Sequence, residues 1–183
     1  SRYLIENYPE FYEYYKETSF TWDRTGGEPI TQGNRNPLLY KNIGVDGIKT
    51  GFLTVEKFSL ASSMKVGDRR VLAVGSGFNT KNIRSRESAK MLNYAIRRFD
   101  TVSVAMKNEP IANLNVWLGK KNKVDVVVSE DLYYTVPKRK KNTIKAVMEY
   151  EGPIKAPIKK GDVLGKLNVY VSGELDKEID IIS

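Results

Sequence analysis

The 183-residue sequence has no cysteine and no histidine. Without cysteine there is no disulfide framework, no thiolate nucleophile and no cysteine-ligated zinc. Without histidine, a Ser-His-Asp triad and a His-ligated metal are excluded too. Any proton transfer on this chain therefore falls to lysine, tyrosine or carboxylates. No apolar run reaches transmembrane length, and Ser1 to Ile5 lacks a signal-peptide pattern. A targeting segment is expected to have been removed or never present.

What is abundant is positive charge, with a net +8 from 30 Lys+Arg and 22 Asp+Glu. Residues 1 to 99 hold 16 basic and 10 acidic residues, giving +6; residues 100 to 183 hold 14 and 12, giving +2. Basic and aromatic residues do not interleave on any one element as a nucleic-acid groove requires, so no nucleic-acid partner is expected. A solvated basic surface is the plainest reading of the excess. A field that attracts anionic substrates to the first half is the other.

Residues Tyr3 to Lys16 carry Leu4, Ile5, Tyr8, Phe11, Tyr12 and Tyr15 at helical steps, interrupted at Pro9, and these aromatics are expected to pack in a core. Ser19 to Trp22 alternates like a strand, Asp23 to Pro29 reads as a loop, and Gly33 to Pro37 as another leading to Leu38 and Leu39. Phe58 to Lys65 and Arg70 to Phe78 flank the turn cluster Val66-Gly67-Asp68-Arg69 as a hairpin. From Asn82 to Phe99 the period becomes helical, with Leu92, Ala95, Ile96 and Phe99 on one face. A sheet with a long helix packed on it follows. The fold class is α+β.

After Phe99 the texture becomes short β segments: Thr101–Ala105, Val124–Val128, Leu132–Val136, Thr143–Tyr150, Val163–Val171 and Leu175–Ile182. Their spacing is that of an all-β sandwich, so the expected division is 1–99 and 100–183. The runs Lys138 to Lys141 and Lys159-Lys160 fall in expected turns, where solvated charge is the default.

Val45-Asp46-Gly47-Ile48-Lys49-Thr50-Gly51 joins apolar residues, two glycines and a cation-hydroxyl pair in one extended segment. As strand neighbours, Lys49 and Thr50 project to opposite sides. Gly51 leaves room for a ligand or another backbone to approach. Lys-Thr-Gly on a strand is one third of a serine acyl-transfer signature whose other parts are Ser-x-x-Lys and Ser-Asp-Asn.

With Asn34-Arg35-Asn36-Pro37-Leu38-Leu39 upstream, Val71-Leu72-Ala73-Val74, Arg84, Glu87-Ser88, Arg97 to Val102 and Val116-Trp117-Leu118-Gly119 downstream, the chain resembles a known family over nearly its whole length. That family is the low-molecular-mass penicillin-binding proteins acting as serine-type D-alanyl-D-alanine carboxypeptidases. The resemblance implies part of a β-lactamase/transpeptidase-like domain, an antiparallel sheet with a packed helix, followed by a small β-sandwich domain. It implies the peptidoglycan stem peptide as substrate, β-lactam antibiotics as mimics, a location in the bacterial cell envelope, and no cofactor or metal. Lys49 and Thr50 would hold the substrate's terminal carboxylate, and Gly51 would let the substrate add as a β-strand. The Phe52 N–H would donate into the oxyanion hole, and Arg84, with Arg35, would balance substrate carboxylate charge.

The family's Ser-x-x-Lys precedes Lys-Thr-Gly, but here only 48 residues do so and none forms it. The formal match Ser62-Ser63-Met64-Lys65 follows Lys49 on a hairpin strand, where Ser62 and Lys65 should face apart. Ser-x-Asn is absent, Leu53 replaces a small polar residue, and Lys57 stands where the family often has glycine. The expectation is a C-terminal portion, inactive alone, able to pair with an N-terminal half or a second copy along an open sheet edge. Any membrane attachment would use a segment outside this chain. The alternative is a non-catalytic wall-binding or scaffold protein with the same sheet and β domain.

Overall fold

The computed structural model describes every residue except Arg24, which lies in the expected 23–29 loop. The chain divides into two compact units, Ser1–Arg98 and Phe99–Ser183.

The first unit opens with α1 (Arg2–Asn7), α2 (Pro9–Tyr12) and a 3-10 turn over Glu13–Lys16. Tyr8 leaves the helical region and Pro9 restarts it at the first helical position, where the missing N–H costs nothing. Of the aromatics expected to pack in a core, Tyr12 is buried and Tyr15 half-buried, whereas Tyr8 and Phe11 are exposed. Three short pieces cannot hold one continuous apolar stripe against a sheet, which corrects the sequence reading. β1 (Ser19–Trp22) pairs antiparallel with β2 (Ile30–Gly33), a strand whose polar composition hid it.

β3 (Val45–Leu53), β4 (Lys57–Val66) and β5 (Arg69–Phe78) form an antiparallel sheet in that order, β4 and β5 being the hairpin read from the sequence. Gly67 and Asp68 alone connect β4 to β5, with Gly67 at φ +59°. Lys57 also sits at φ +59°, a conformation glycine adopts without a Cβ penalty.

α3 (Lys81–Arg98) starts where Thr80 Oγ1 accepts the Ile83 N–H at 3.1 Å. It buries Arg84, Ser88 and Leu92, one turn apart, and Leu92 joins Leu38, Leu60, Met64 and Ala73 in the core. Phe99, read as the helix's last apolar residue, instead begins β6.

The second unit contains β6 (Phe99–Ala105), β7 (Ala112–Trp117), β8 (Lys123–Val128), β9 (Leu132–Pro137), β10 (Ile144–Glu149), β11 (Ile154–Lys155), β12 (Val163–Val171) and β13 (Glu174–Ile182). Six of these form one sheet in the order β10-β12-β13-β8-β7-β11, and β6 pairs with β9. Ala105 and Leu132 from the pair share one core with Leu114, Val126, Val169 and Ile181 from the sheet. β7 and β11 were not read from sequence, and the basic run expected in a turn is a 3-10 helix, Lys138–Thr143.

Candidate active site

β3 is an edge strand, paired on one side only with β4. Its register sets Lys49 opposite Ala61, Thr50 opposite the buried Leu60, Gly51 opposite Ser59 and Phe52 opposite Phe58. Thr50 and Phe52 therefore share the face of Leu60, and Lys49 and Gly51 the opposite one. A cleft of 1020 Å³ runs along this edge, lined by Lys49, Thr50, Gly51, Phe52, Phe58, Arg35, Lys81 and Arg84. All five site residues expected from sequence line it. Among the described residues it has four basic side chains and no carboxylate on its wall.

The cations come from three separate stretches. Arg35 belongs to a loop that folds on itself: Asn34 Oδ1 accepts the Asn36 N–H at 2.9 Å, and Asn36 Oδ1 accepts the Leu38 N–H at 3.1 Å. Leu38, fully buried, pins that loop to the core. Lys49 stands exposed on β3, its ammonium donating to the Thr50 carbonyl at 2.9 Å. Lys81 and Arg84 lie in the first turn of α3, where the free backbone N–H groups of an 18-residue helix add positive potential.

Arg84 is only 6% exposed, and its Nε has no hydrogen-bond partner among the described residues. Its guanidinium lies 5.8 Å from the centroid of the Phe58 ring, which in turn meets Phe52 at 4.7 Å. Burial lowers its pKa below the ordinary arginine value, yet a guanidinium stays charged throughout the accessible pH range. A buried cation with a free donor beside a cleft is suited to an anionic ligand group. Lys81 was missed in the sequence, since a lysine at the start of a helix is ordinarily solvated.

Gly51 also has a role inside the sheet. A Cβ there would lie 2.4 Å from Ser59 Oγ, so the glycine makes room for the hydroxyl of the neighbouring strand.

Behind the start of β3 a polar cluster fixes the strand. Arg70 Nη1 donates to Asp46 Oδ1 at 2.8 Å and to Ser63 Oγ at 2.5 Å, and Tyr12 Oη donates to Asp46 Oδ1 at 2.7 Å. Arg70 also stacks over the Tyr12 ring at 5.1 Å. Burial, with the bond to Asp46, pushes the Tyr12 phenol up to about 12. Asp46 lies where β3 slips register between Val45 and Gly47. The formal Ser-x-x-Lys match lies inside the sheet: Ser62 and Ser63 are buried, and Ser62 Oγ donates to the Ala73 carbonyl at 3.2 Å.

Comparison with known proteins agrees with this architecture. Residues 1–82 match the family model for D-alanyl-D-alanine carboxypeptidase, and residues 99–183 match that for the C-terminal domain of penicillin-binding protein 5. The chain is 33% identical to D-alanyl-D-alanine carboxypeptidase DacD of Escherichia coli (strain K12), over 98% of this chain and 45% of that protein. It is 35% identical to DacC of the same organism, over 93% of this chain and 42% of that protein. The crystal structure of penicillin binding protein 5 from Haemophilus influenzae superposes with a TM-score of 0.80 at 32% identity, covering 98% of this chain and 52% of that one. Penicillin binding protein 6B from Escherichia coli gives 0.71 at 27% identity, covering 100% and 47%. The chain thus spans less than half the length of these curated relatives. With an edge strand bearing Lys-Thr-Gly, a helix packed behind it and a β domain following, it belongs to the D-alanyl-D-alanine carboxypeptidase family of penicillin-binding proteins.

Proposed function

We propose that this chain supplies the carboxylate-recognition wall of a serine D-alanyl-D-alanine carboxypeptidase acting on peptidoglycan stem peptides. The observation that carries the proposal is the cleft along the β3 edge, with Lys49, Thr50, Arg35, Lys81 and Arg84 on its wall and no acidic side chain among the described residues. A stem peptide ending in D-alanyl-D-alanine is extended and carries a free carboxylate. It adds to the open edge of β3 as an antiparallel or parallel strand, and Gly51 keeps that edge low. The carboxylate takes charge-assisted bonds from Lys49 and Arg84 and a hydroxyl bond from Thr50.

The nucleophile is a serine on a segment outside these 183 residues. Its Oγ bonds to the carbonyl carbon of the penultimate residue, and the peptide C–N bond breaks. The terminal D-alanine leaves as the free amine, and water then hydrolyses the acyl-serine ester. The Phe52 N–H is one donor to the oxyanion, and losing such a donor costs about two to three orders of magnitude in turnover. A β-lactam enters as a mimic of the same peptide and acylates the same serine. The chemistry belongs to the bacterial cell envelope, where the stem peptide is exposed, and the 183 residues alone are inactive.

The test pairs binding with turnover. Amide resonances of the 183-residue chain are followed by NMR as a peptide ending in D-alanyl-D-alanine is added, as the free acid or as the C-terminal amide. Shifts at Lys49, Thr50 and Arg84 with the acid only, abolished by Lys49→Ala, are expected; equal response to both forms overturns the carboxylate role. Benzylpenicillin adds to the protein carrying the upstream segment, as seen by intact mass. Carboxylate-dependent binding without any such adduct or D-alanine release would instead identify a non-catalytic wall-binding protein.

A further inference from the structure

The second unit holds a cavity that the carboxypeptidase reading does not use. It has a volume of 660 Å³ and opens at one end of the six-stranded sheet, between the loop after β7 and the loop joining β11 to β12. Its apolar lining is Val116, Val124, Ala156, Pro157 and Ile158, with Leu118 at the edge. Its rim carries Lys120, Lys121, Lys123, Lys159, Lys160 and Ser183 and, among the described residues, no aspartate or glutamate side chain. The ion pairs of this unit use Lys141, Lys166 and Lys177, so none of the five rim lysines is paired among the described residues. The two carboxylates nearest in sequence are engaged elsewhere: Asp162 accepts the Lys159 N–H at 2.7 Å, and Asp125 accepts from the Asn113 side-chain amide at 2.6 Å.

Leu118 stands at the lip. It is 71% exposed and lies at φ +61°, a left-handed conformation uncommon for a bulky residue. The loop is held there by Gly119, where a Cβ would lie 2.7 Å from Val116 Cγ1 and 3.0 Å from the Lys121 carbonyl oxygen. The backbone thus accepts strain and close packing to present an apolar side chain to solvent, ringed by unpaired ammonium groups.

An apolar floor and lip inside a cationic ring fit an amphiphile with an anionic head. The ring is made of lysine alone. Lysine is a compact, strongly hydrated point charge on a flexible stem, which can follow a diffuse field of head-group phosphates without a fixed two-point geometry. An exposed leucine tip beside that ring adds an apolar contact that a bilayer interface takes up, which favours an anionic phospholipid surface. A volume of several hundred Å³ takes a segment of acyl chain, and single lysines near an anionic bilayer each raise affinity about fivefold. We propose that this end of the β domain docks on an anionic phospholipid surface, Leu118 entering the acyl boundary and the five lysines lying on the head-group phosphates. It is an interfacial contact, separate from any membrane-spanning segment.

The experiment is co-sedimentation of the 183-residue chain with vesicles of phosphatidylcholine alone or mixed with phosphatidylglycerol, at low and at raised salt. Binding is expected only to the phosphatidylglycerol vesicles and should fall as salt rises. Lys120→Glu/Lys121→Glu should weaken it about tenfold or more. Leu118→Asn keeps a residue that tolerates the left-handed conformation and removes the apolar tip, and should also release the chain. The equally basic end of α3 provides the control, Arg97→Glu/Arg98→Glu, expected to bind as the parent does. No binding to phosphatidylglycerol vesicles overturns the proposal. So does binding that survives both cavity variants, or binding lost in the α3 variant alone. Equal retention on soluble polyphosphate, insensitive to Leu118→Asn, would show a plain polyanion surface and overturn it too.

Discussion

Ser59 on β4 occupies the space that a side chain on Gly51 of β3 would need: the two are cross-strand partners, and a Cβ on Gly51 would lie 2.4 Å from Ser59 Oγ. Relief needs a χ1 rotation that carries the Ser59 Oγ out of its place, because Gly51 itself sits in the ladder. Gly51→Ala should therefore destabilise the first unit by about 1–3 kcal/mol, the range of core overpacking. In a Ser59→Ala background the next contact is the Ser59 Cβ at 3.8 Å, ordinary van der Waals distance. There the same substitution should cost little or even stabilise through reduced unfolded-state freedom. Urea unfolding of the four proteins checks this; an equal loss in both backgrounds would mean the hydroxyl is not the obstacle.

Asp46 should matter more than an ordinary surface carboxylate. It accepts from both Tyr12 and Arg70, and the Asp46 and Arg70 side chains are 24% and 25% exposed. Asp46→Ala leaves a guanidinium and a phenol short of an acceptor, at a cost of about 1.5–3 kcal/mol. Asp46→Asn, which keeps an acceptor oxygen, should lose less. Since Asp46 sits three residues before Lys49, the variant should also broaden the NMR signals of β3, which a loss of stability alone would not single out.

Tyr12 makes stability fall at high pH. Its phenol is pushed up from the usual 10 to about 12, mainly by burial. A raised folded-state value means the folded protein holds its proton longer than the unfolded chain. The contribution is then complete below pH 10 and is lost as pH rises from about 10 to 12, at about 1.4 kcal/mol per unit for one proton. Tyr12→Phe should remove this share of the slope. Denaturation midpoints of parent and variant should converge towards the upper end of that window, and parallel curves would contradict the assignment.

Arg84 should separate substrate binding from folding. In a protein joining this chain to its nucleophile segment, Arg84→Ala should lower kcat/KM for a free-acid D-alanyl-D-alanine peptide about ten- to a hundredfold, the worth of one charge-assisted bond. The loss should lie mostly in KM, and an amidated peptide should be nearly indifferent. Arg84→Lys should restore little, because a point charge does not reproduce the guanidinium packed on Phe58. If both peptides suffer alike, the residue serves packing only.

The sequence by itself determined the pieces whose causes are local. Alternating apolar residues on either side of Gly67-Asp68 specify the β4–β5 hairpin, and the 3.6-residue period after Thr80 specifies α3, because strand and helix faces are set by near neighbours. Lys-Thr-Gly was legible in the same way, as a residue string on a strand.

Tertiary structure decided what depends on distant partners. That Arg35, Lys49, Lys81 and Arg84 meet on one cleft follows from how a pinned loop, an edge strand and a helix start pack together. That Gly51 yields to Ser59, that Tyr12 alone of its helical face is buried, and that β2, β7 and β11 are strands at all follow from pairing and cross-strand register. Periodicity tells which face of an element is apolar; only long-range contacts tell what stands opposite it.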